Sequence, residues 1–206
     1  MSAKVARAFT PAANDVLARL IEGNERFARG EARFPTVPQQ TLAAATFSQQ
    51  PHATIIGCSD SRVPPELIFD APFGELFVIR VAGNVVSPEI MGTLQYGTLV
   101  LRTPLVFVLG HSECGAVSAA AAMKWYGVSQ PERIGRLLEC ITPGLPNRDP
   151  AVSTEAQINA AVEANVRWSM NQLLQTPEAQ VRLEEGAIKL VGGVYELATG
   201  RVQLLD

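Results

Sequence analysis

The chain has 206 residues, 47% of them apolar and 18% charged, which is enough length and apolar content for one domain with a full core and excludes a disordered protein. Its net charge of -3, with Lys and Arg scattered and no basic run interleaved with aromatics, leaves no electrostatic footprint for nucleic acid. Residues 1–15 lack the basic start and apolar centre of a secretory signal, and no apolar run approaches the roughly 18 to 20 residues that cross a bilayer, so a soluble, cytoplasmic protein with no membrane partner is expected.

Val16, Leu17, Leu20, Ile21 and Phe27 recur at helical spacing over residues 14–27, with Gly30 as a stop. A stretch bearing Pro and Gln, residues 34–50, crosses to a first strand at 53–57, followed by a short helix near 65–69. Residues 76–81 are apolar and β-branched, as a buried parallel strand requires. Ser87-Pro88-Glu89 reads as an N-cap, a proline at the first helical position and an acidic first turn, opening a helix that runs through Met91, Leu94, Val100 and Leu101. A strand at 105–109 and an alanine-rich helix at 113–123 come next. Helices over 131–140 and 154–174 follow, separated by a Pro- and Gly-rich loop at 142–150. Residues 187–197 and 202–205, joined through Thr199-Gly200, read as an antiparallel hairpin at the sheet edge. The alternation predicts a single α/β domain: a mostly parallel central sheet flanked by helices, with ligands at the carboxyl ends of its strands. The helix and crossover of residues 1–50 form an N-terminal arm ahead of a core at 51–206.

Two segments carry the chemistry. Cys58-Ser59-Asp60-Ser61-Arg62 and His111-Ser112-Glu113-Cys114-Gly115 each follow a strand-like run, and each abuts a glycine, Gly57 and Gly110, which permits a tight turn and close backbone approach. Together they offer two thiolates and an imidazole. Three protein ligands leave the fourth tetrahedral position of zinc to water, the stoichiometry of a catalytic rather than a structural site. A closed four-ligand site would need Cys140 or His52, and neither sits in a loop that favours it. Three cysteines in a chain without an export signal favour thiols or metal ligands over disulfides, and Cys140, at the end of a helical pattern, reads as a buried, inert thiol. A cysteine nucleophile with His111 as its base would leave Asp60 and Arg62 unexplained. That pair is either a surface ion pair or a carboxylate that accepts a hydrogen bond from metal-bound hydroxide while Arg62 keeps it ionised and oriented. No phosphate-binding glycine loop is present.

These motifs, with Leu20-Ile21-Glu22-Gly23-Asn24-Glu25-Arg26-Phe27, Gln49-Gln50-Pro51, Phe77-Val78-Ile79-Arg80 and Ala82-Gly83-Asn84, make the chain resemble the β-class carbonic anhydrases along nearly its whole length. The resemblance implies one Zn²⁺ per chain on Cys58, His111 and Cys114, with Asp60 and Arg62 as a catalytic dyad. It implies that Gln49 reaches bicarbonate from a neighbouring subunit, that Phe77, Ala82 and Tyr96 line an apolar substrate pocket, and that the Gly115 backbone lies near it. It further implies a homodimer, often doubled to a tetramer, whose N-terminal helices embrace. Reversible hydration of CO2 to bicarbonate and a proton is the expected reaction. A hydrolase for CS2 or COS on the same scaffold, a zinc-bearing structural protein and a thiol redox role are its rivals. His52 is the only other imidazole available as a proton shuttle. Two departures stand out: Val81 where many members have Asn, and Ile55 where bicarbonate-inhibited members have Trp. The second favours a site open to substrate, with Asp60 on Arg62 rather than on the metal.

Overall fold

The computed structural model describes residues 12–34, 36–46 and 48–205; residues 1–11, on which much of the reading of the N-terminus rests, lie outside them. In chain order the helices and strands are α1 (Ala13–Ala28), α2 (Gln39–Ala44), β1 (Ala53–Gly57), α3 (Pro65–Ile68), β2 (Leu76–Arg80), α4 (Pro88–Gln95), β3 (Leu105–His111), α5 (Gly115–Tyr126), α6 (Glu132–Glu139), α7 (Thr154–Leu174), α8 (Pro177–Glu184), β4 (Lys189–Glu196) and β5 (Arg201–Leu205). They form one sheet in the order β2-β1-β3-β4-β5. The pairs β1–β2, β1–β3 and β3–β4 are parallel, and β5 closes the edge antiparallel to β4.

Strands β1 and β3 are buried at every position, as central strands covered on both faces must be. Because strand side chains alternate between faces, the odd positions Ala53, Ile55, Leu105, Phe107 and Leu109 meet Val16 and Leu20 of α1 and Ile68 of α3. The even positions Ile56, Val106 and Val108 meet Leu94 of α4 and Val166 and Leu173 of α7. A third apolar cluster caps the carboxyl ends of the strands and includes Cys58 and Cys114 with Val117, Ala120, Leu138 and Ile141.

The structure amends several expectations. The crossover contains the short helix α2, and α8 lies in a stretch left without an element, although Thr176 caps it by accepting from the Ala179 N–H and Pro177 opens it. The helix after Ser87 does not run straight to Leu101. It gives way at Tyr96 to a π-helical turn, where the Leu101 N–H donates to Tyr96 O and the Thr98 hydroxyl donates back to Leu94 O. Cys140 is half-buried rather than buried, its thiol 3.7 Å from the Arg136 carbonyl.

The arm is fixed by Asp70. This 3%-exposed carboxylate accepts from Arg26 Nε at 2.7 Å and from the backbone N–H groups of Arg33 and Phe34 at 2.8 and 2.9 Å. Burial pushes its carboxyl up, but the Phe34 N–H, the Arg26 guanidinium and the Arg33 N–H together hold it below the usual carboxylate value. Asp70 sits in the left-handed region at φ +41, which Asn also tolerates. Asp70→Asn therefore keeps the backbone and loses the charge, and it is expected to cost about 2 kcal/mol of stability at neutral pH by urea denaturation. Because the folded carboxyl is depressed, its contribution is fully present above the unfolded-state value and is lost as pH falls through the folded one. The gap between wild type and variant should thus narrow in acid; a gap that widened would contradict the assignment.

Candidate metal centre

Three elements deliver the proposed ligands. Cys58 follows β1 directly, His111 is the last residue of β3, and Cys114 is the N-cap of α5. Between the last two, Glu113 adopts φ +55, and this left-handed residue turns the chain so that imidazole and thiol face one point. The two sulfurs and a ring nitrogen lie within 4.8 Å of one another, and all three side chains are buried. Among the described residues no other cluster of His, Cys, Asp and Glu has this character.

The imidazole decides what the cluster suits. His111 Nδ1 donates to the Ser112 carbonyl at 2.8 Å, which leaves the lone pair on Nε2. Nε2 is buried and has no hydrogen-bond partner. A buried acceptor beside two sulfurs fits a cation, and two thiolates with one imidazole are a donor set for zinc. The two thiols perturb each other. Hydrogen bonding from Cys114 chiefly holds the Cys58 thiol below its ordinary value, against burial, while the same bond and burial push Cys114 up. Burial lowers His111, but the neighbouring Cys58 raises it more.

Asp60 stands beside this cluster without joining it. Arg62 grips it with Nε on Oδ1 at 3.0 Å, Nη2 on Oδ2 at 2.8 Å and its own backbone N–H on Oδ1 at 2.9 Å. That grip holds the carboxyl well below the usual carboxylate range. Arg62 Nη2 also donates to the Glu113 carbonyl at 3.4 Å, joining the two ligand loops. Arg80, at the end of β2, donates to the carbonyls of Cys58 and Asp60 and so braces the first loop from beneath. The two glycines play unequal parts. A Cβ on Gly110 would meet Val166 at 2.5 Å, so α7 can pack this close only over a bare Cα, whereas one on Gly57 would make ordinary contacts. Neither glycine makes a turn; both lie within strands.

The remaining expected residues separate into two groups. Gly115 begins α5 next to Cys114, and Ala82 opens the turn whose Gly83 N–H donates to Cys58 Sγ at 3.3 Å. Phe77 and Tyr96 instead pair with each other, ring centroids 6.0 Å apart, with Tyr96 46% exposed. Phe77 is in register with Thr54, four residues before Cys58, and at about 3.3 Å per residue this is about 13 Å down the strands from the ligand end. Gln49 is exposed ahead of β1, further off still. His52 stands at that same far end, its Nδ1 2.5 Å from Glu75 Oε2, and not beside its own chain's ligands.

A family model described as carbonic anhydrase matches residues 53–202. The chain belongs to the β-class carbonic anhydrases. It is 35% identical over 196 residues to a carbonic anhydrase of Mycolicibacterium smegmatis, covering 94% of this chain and 95% of that one. It is 36% identical over 194 residues to a carbonic anhydrase of Pseudomonas aeruginosa, covering 91% and 86%. The solved β-carbonic anhydrase of Coccomyxa, in complex with acetazolamide, superposes with a TM-score of 0.72 at 28% identity, covering 92% of this chain and 86% of that one.

For a β-class carbonic anhydrase, the parts that sequence reading missed are the braces rather than the ligands. Arg80 was visible as a cation ending an apolar strand, and Asn165 and Ser169 as polar residues in phase with the buried stripe of α7. Cys58→Ser should lose the bound metal measured by elemental analysis, and Cys140→Ser should keep it. Full metal content in Cys58→Ser would remove that residue from the ligand set.

Proposed function

We propose that the chain catalyses the reversible hydration of CO2 to bicarbonate and a proton. Cys58, His111 and Cys114 would hold Zn²⁺, and the ion, when bound, supplies a nucleophile at neutral pH by acidifying a water, a chemistry of which histidine-ligated carbonic anhydrases are the standard case. The observation that carries the reading is that among the described residues the cluster comprises three side chains, while Asp60, beside it, is bound at two points by Arg62. Such a site keeps a coordination position open to solvent and substrate.

In this reading Asp60 accepts a hydrogen bond from the attacking oxygen and so aims its lone pair at the carbon. Arg62 keeps Asp60 ionised and fixed. CO2 has neither charge nor donor, so it needs apolar walls, for which Ala82 and the aromatic pair Phe77 and Tyr96 are suited, with the Gly115 backbone beside them. Gln49 donates to the developing bicarbonate oxygen, a contribution of the oxyanion-hole type. Phe77 lies at the far end of β2, with Tyr96 against it and Gln49 ahead of β1, so they reach a metal centre only if it belongs to another copy. The site is therefore shared within a homodimer, alone or doubled to a tetramer. Exposed Leu67, Phe73, Tyr96, Leu99 and Val100 provide apolar surface for such an assembly. Among the described residues no helix is long and apolar enough to cross a membrane. The need to keep ligand thiols reduced fits a cytosolic location.

Asp60→Asn should retain zinc and lose turnover by on the order of a hundredfold in stopped-flow CO2 hydration. A wild-type rate in that variant would take Asp60 out of the mechanism. Hydrolysis of CS2 by the wild type with no CO2 hydration would replace the proposed substrate with its rival.

A further inference from the structure

Helix α7 carries a buried stripe of Ala161, Val162, Val166 and Leu173, interrupted by Asn165 and Ser169, which are 1% and 0% exposed. Polar side chains one turn apart in such a stripe are costly unless they bond. Both bond to the same short segment. Asn165 Nδ2 donates to the Gly83 carbonyl at 2.8 Å. Ser169 Oγ lies 3.0 Å from the Asn84 carbonyl, to which it donates, and 3.4 Å from Asn84 Nδ2, from which it accepts.

Gly83 at φ 68, ψ 21 and Asn84 at φ 45 are successive left-handed residues, a conformation open to glycine and tolerated by asparagine. A Cβ on Gly83 would meet Ile141 Cδ1 at 2.6 Å, so only glycine fits. The turn directs one N–H, that of Gly83, at Cys58 Sγ at 3.3 Å. We propose that Asn165 and Ser169 are positioning residues of the metal centre, clamping the Gly83–Asn84 turn so that its N–H donates to the ligand sulfur of Cys58. An N–H on a thiolate draws electron density from the sulfur, so less is passed to the cation, and partners of this second rank tune a metal as well as orient its ligands. The inference rests on the metal-centre reading above. The plainer role, in which the two side chains only satisfy buried carbonyls, predicts a change in stability and none at the metal.

The test is the thiolate-to-cobalt charge-transfer absorption of the full chain loaded with Co²⁺. Asn165→Leu removes the amide at similar volume, and Ser169→Ala removes one hydroxyl. The band should move to longer wavelength in both, further in Asn165→Leu, and because Cys58 is then less firmly oriented, metal affinity from chelator competition should fall about tenfold in Asn165→Leu despite the sulfur's stronger donation. An unshifted band in folded, cobalt-loaded Asn165→Leu overturns the inference; should that variant not fold, an unshifted band in Ser169→Ala does so. No such band in the wild type would instead overturn the metal centre itself.

Discussion

Two thiol sulfurs and an imidazole nitrogen held within 4.8 Å at the capped end of a sheet form a donor set that a shared cation would stabilise. As thiolates the two sulfurs would repel in these apolar surroundings, and the buried His111 Nε2 has no hydrogen-bond partner. A divalent cation would remove both costs at once. The rest of the molecule serves to keep these donors converged: β1 and β3 lie side by side and in parallel, so the chain ends that carry Cys58 and His111 emerge together.

The supports are graded by rank. The three candidate ligands are placed by strand ends and by the left-handed turn at Glu113, their loops are bonded by Arg80 and Arg62, and the Gly83 N–H meets the Cys58 sulfur while α7 bonds the Gly83 carbonyl. Arg62, Arg80, Asn165 and Ser169 each donate to a backbone carbonyl of these loops. Asp60 belongs to none of them. Its two-point bond to Arg62 leaves it beside the cluster and ionised.

Much of this was legible in the chain. Strand β1 and helix α7 were read to the residue, because an apolar run bounded by loop residues and a capped helical period are local signals. The convergence of Cys58, His111 and Cys114 was legible because both of their segments leave neighbouring strands in the order and spacing of the family's motifs. What escaped had non-local causes. The π turn at Tyr96 depends on Thr98 bonding back to Leu94, and the half-exposure of Cys140 on which face α6 turns outward. The brace from Asn165 to Gly83 joins positions 82 residues apart and leaves no pattern in sequence beyond a polar residue on an apolar stripe. The distance between Phe77, Tyr96 and Gln49 and their own chain's ligands became visible only once strand register was known.

X-ray absorption at the zinc edge of the metal-loaded protein measures directly whether the centre has three protein ligands and an open fourth position. Two sulfur scatterers at about 2.3 Å and two lighter ones, nitrogen and oxygen, at about 2.0 to 2.1 Å are expected. A third sulfur, or a shell without sulfur, would contradict that expectation.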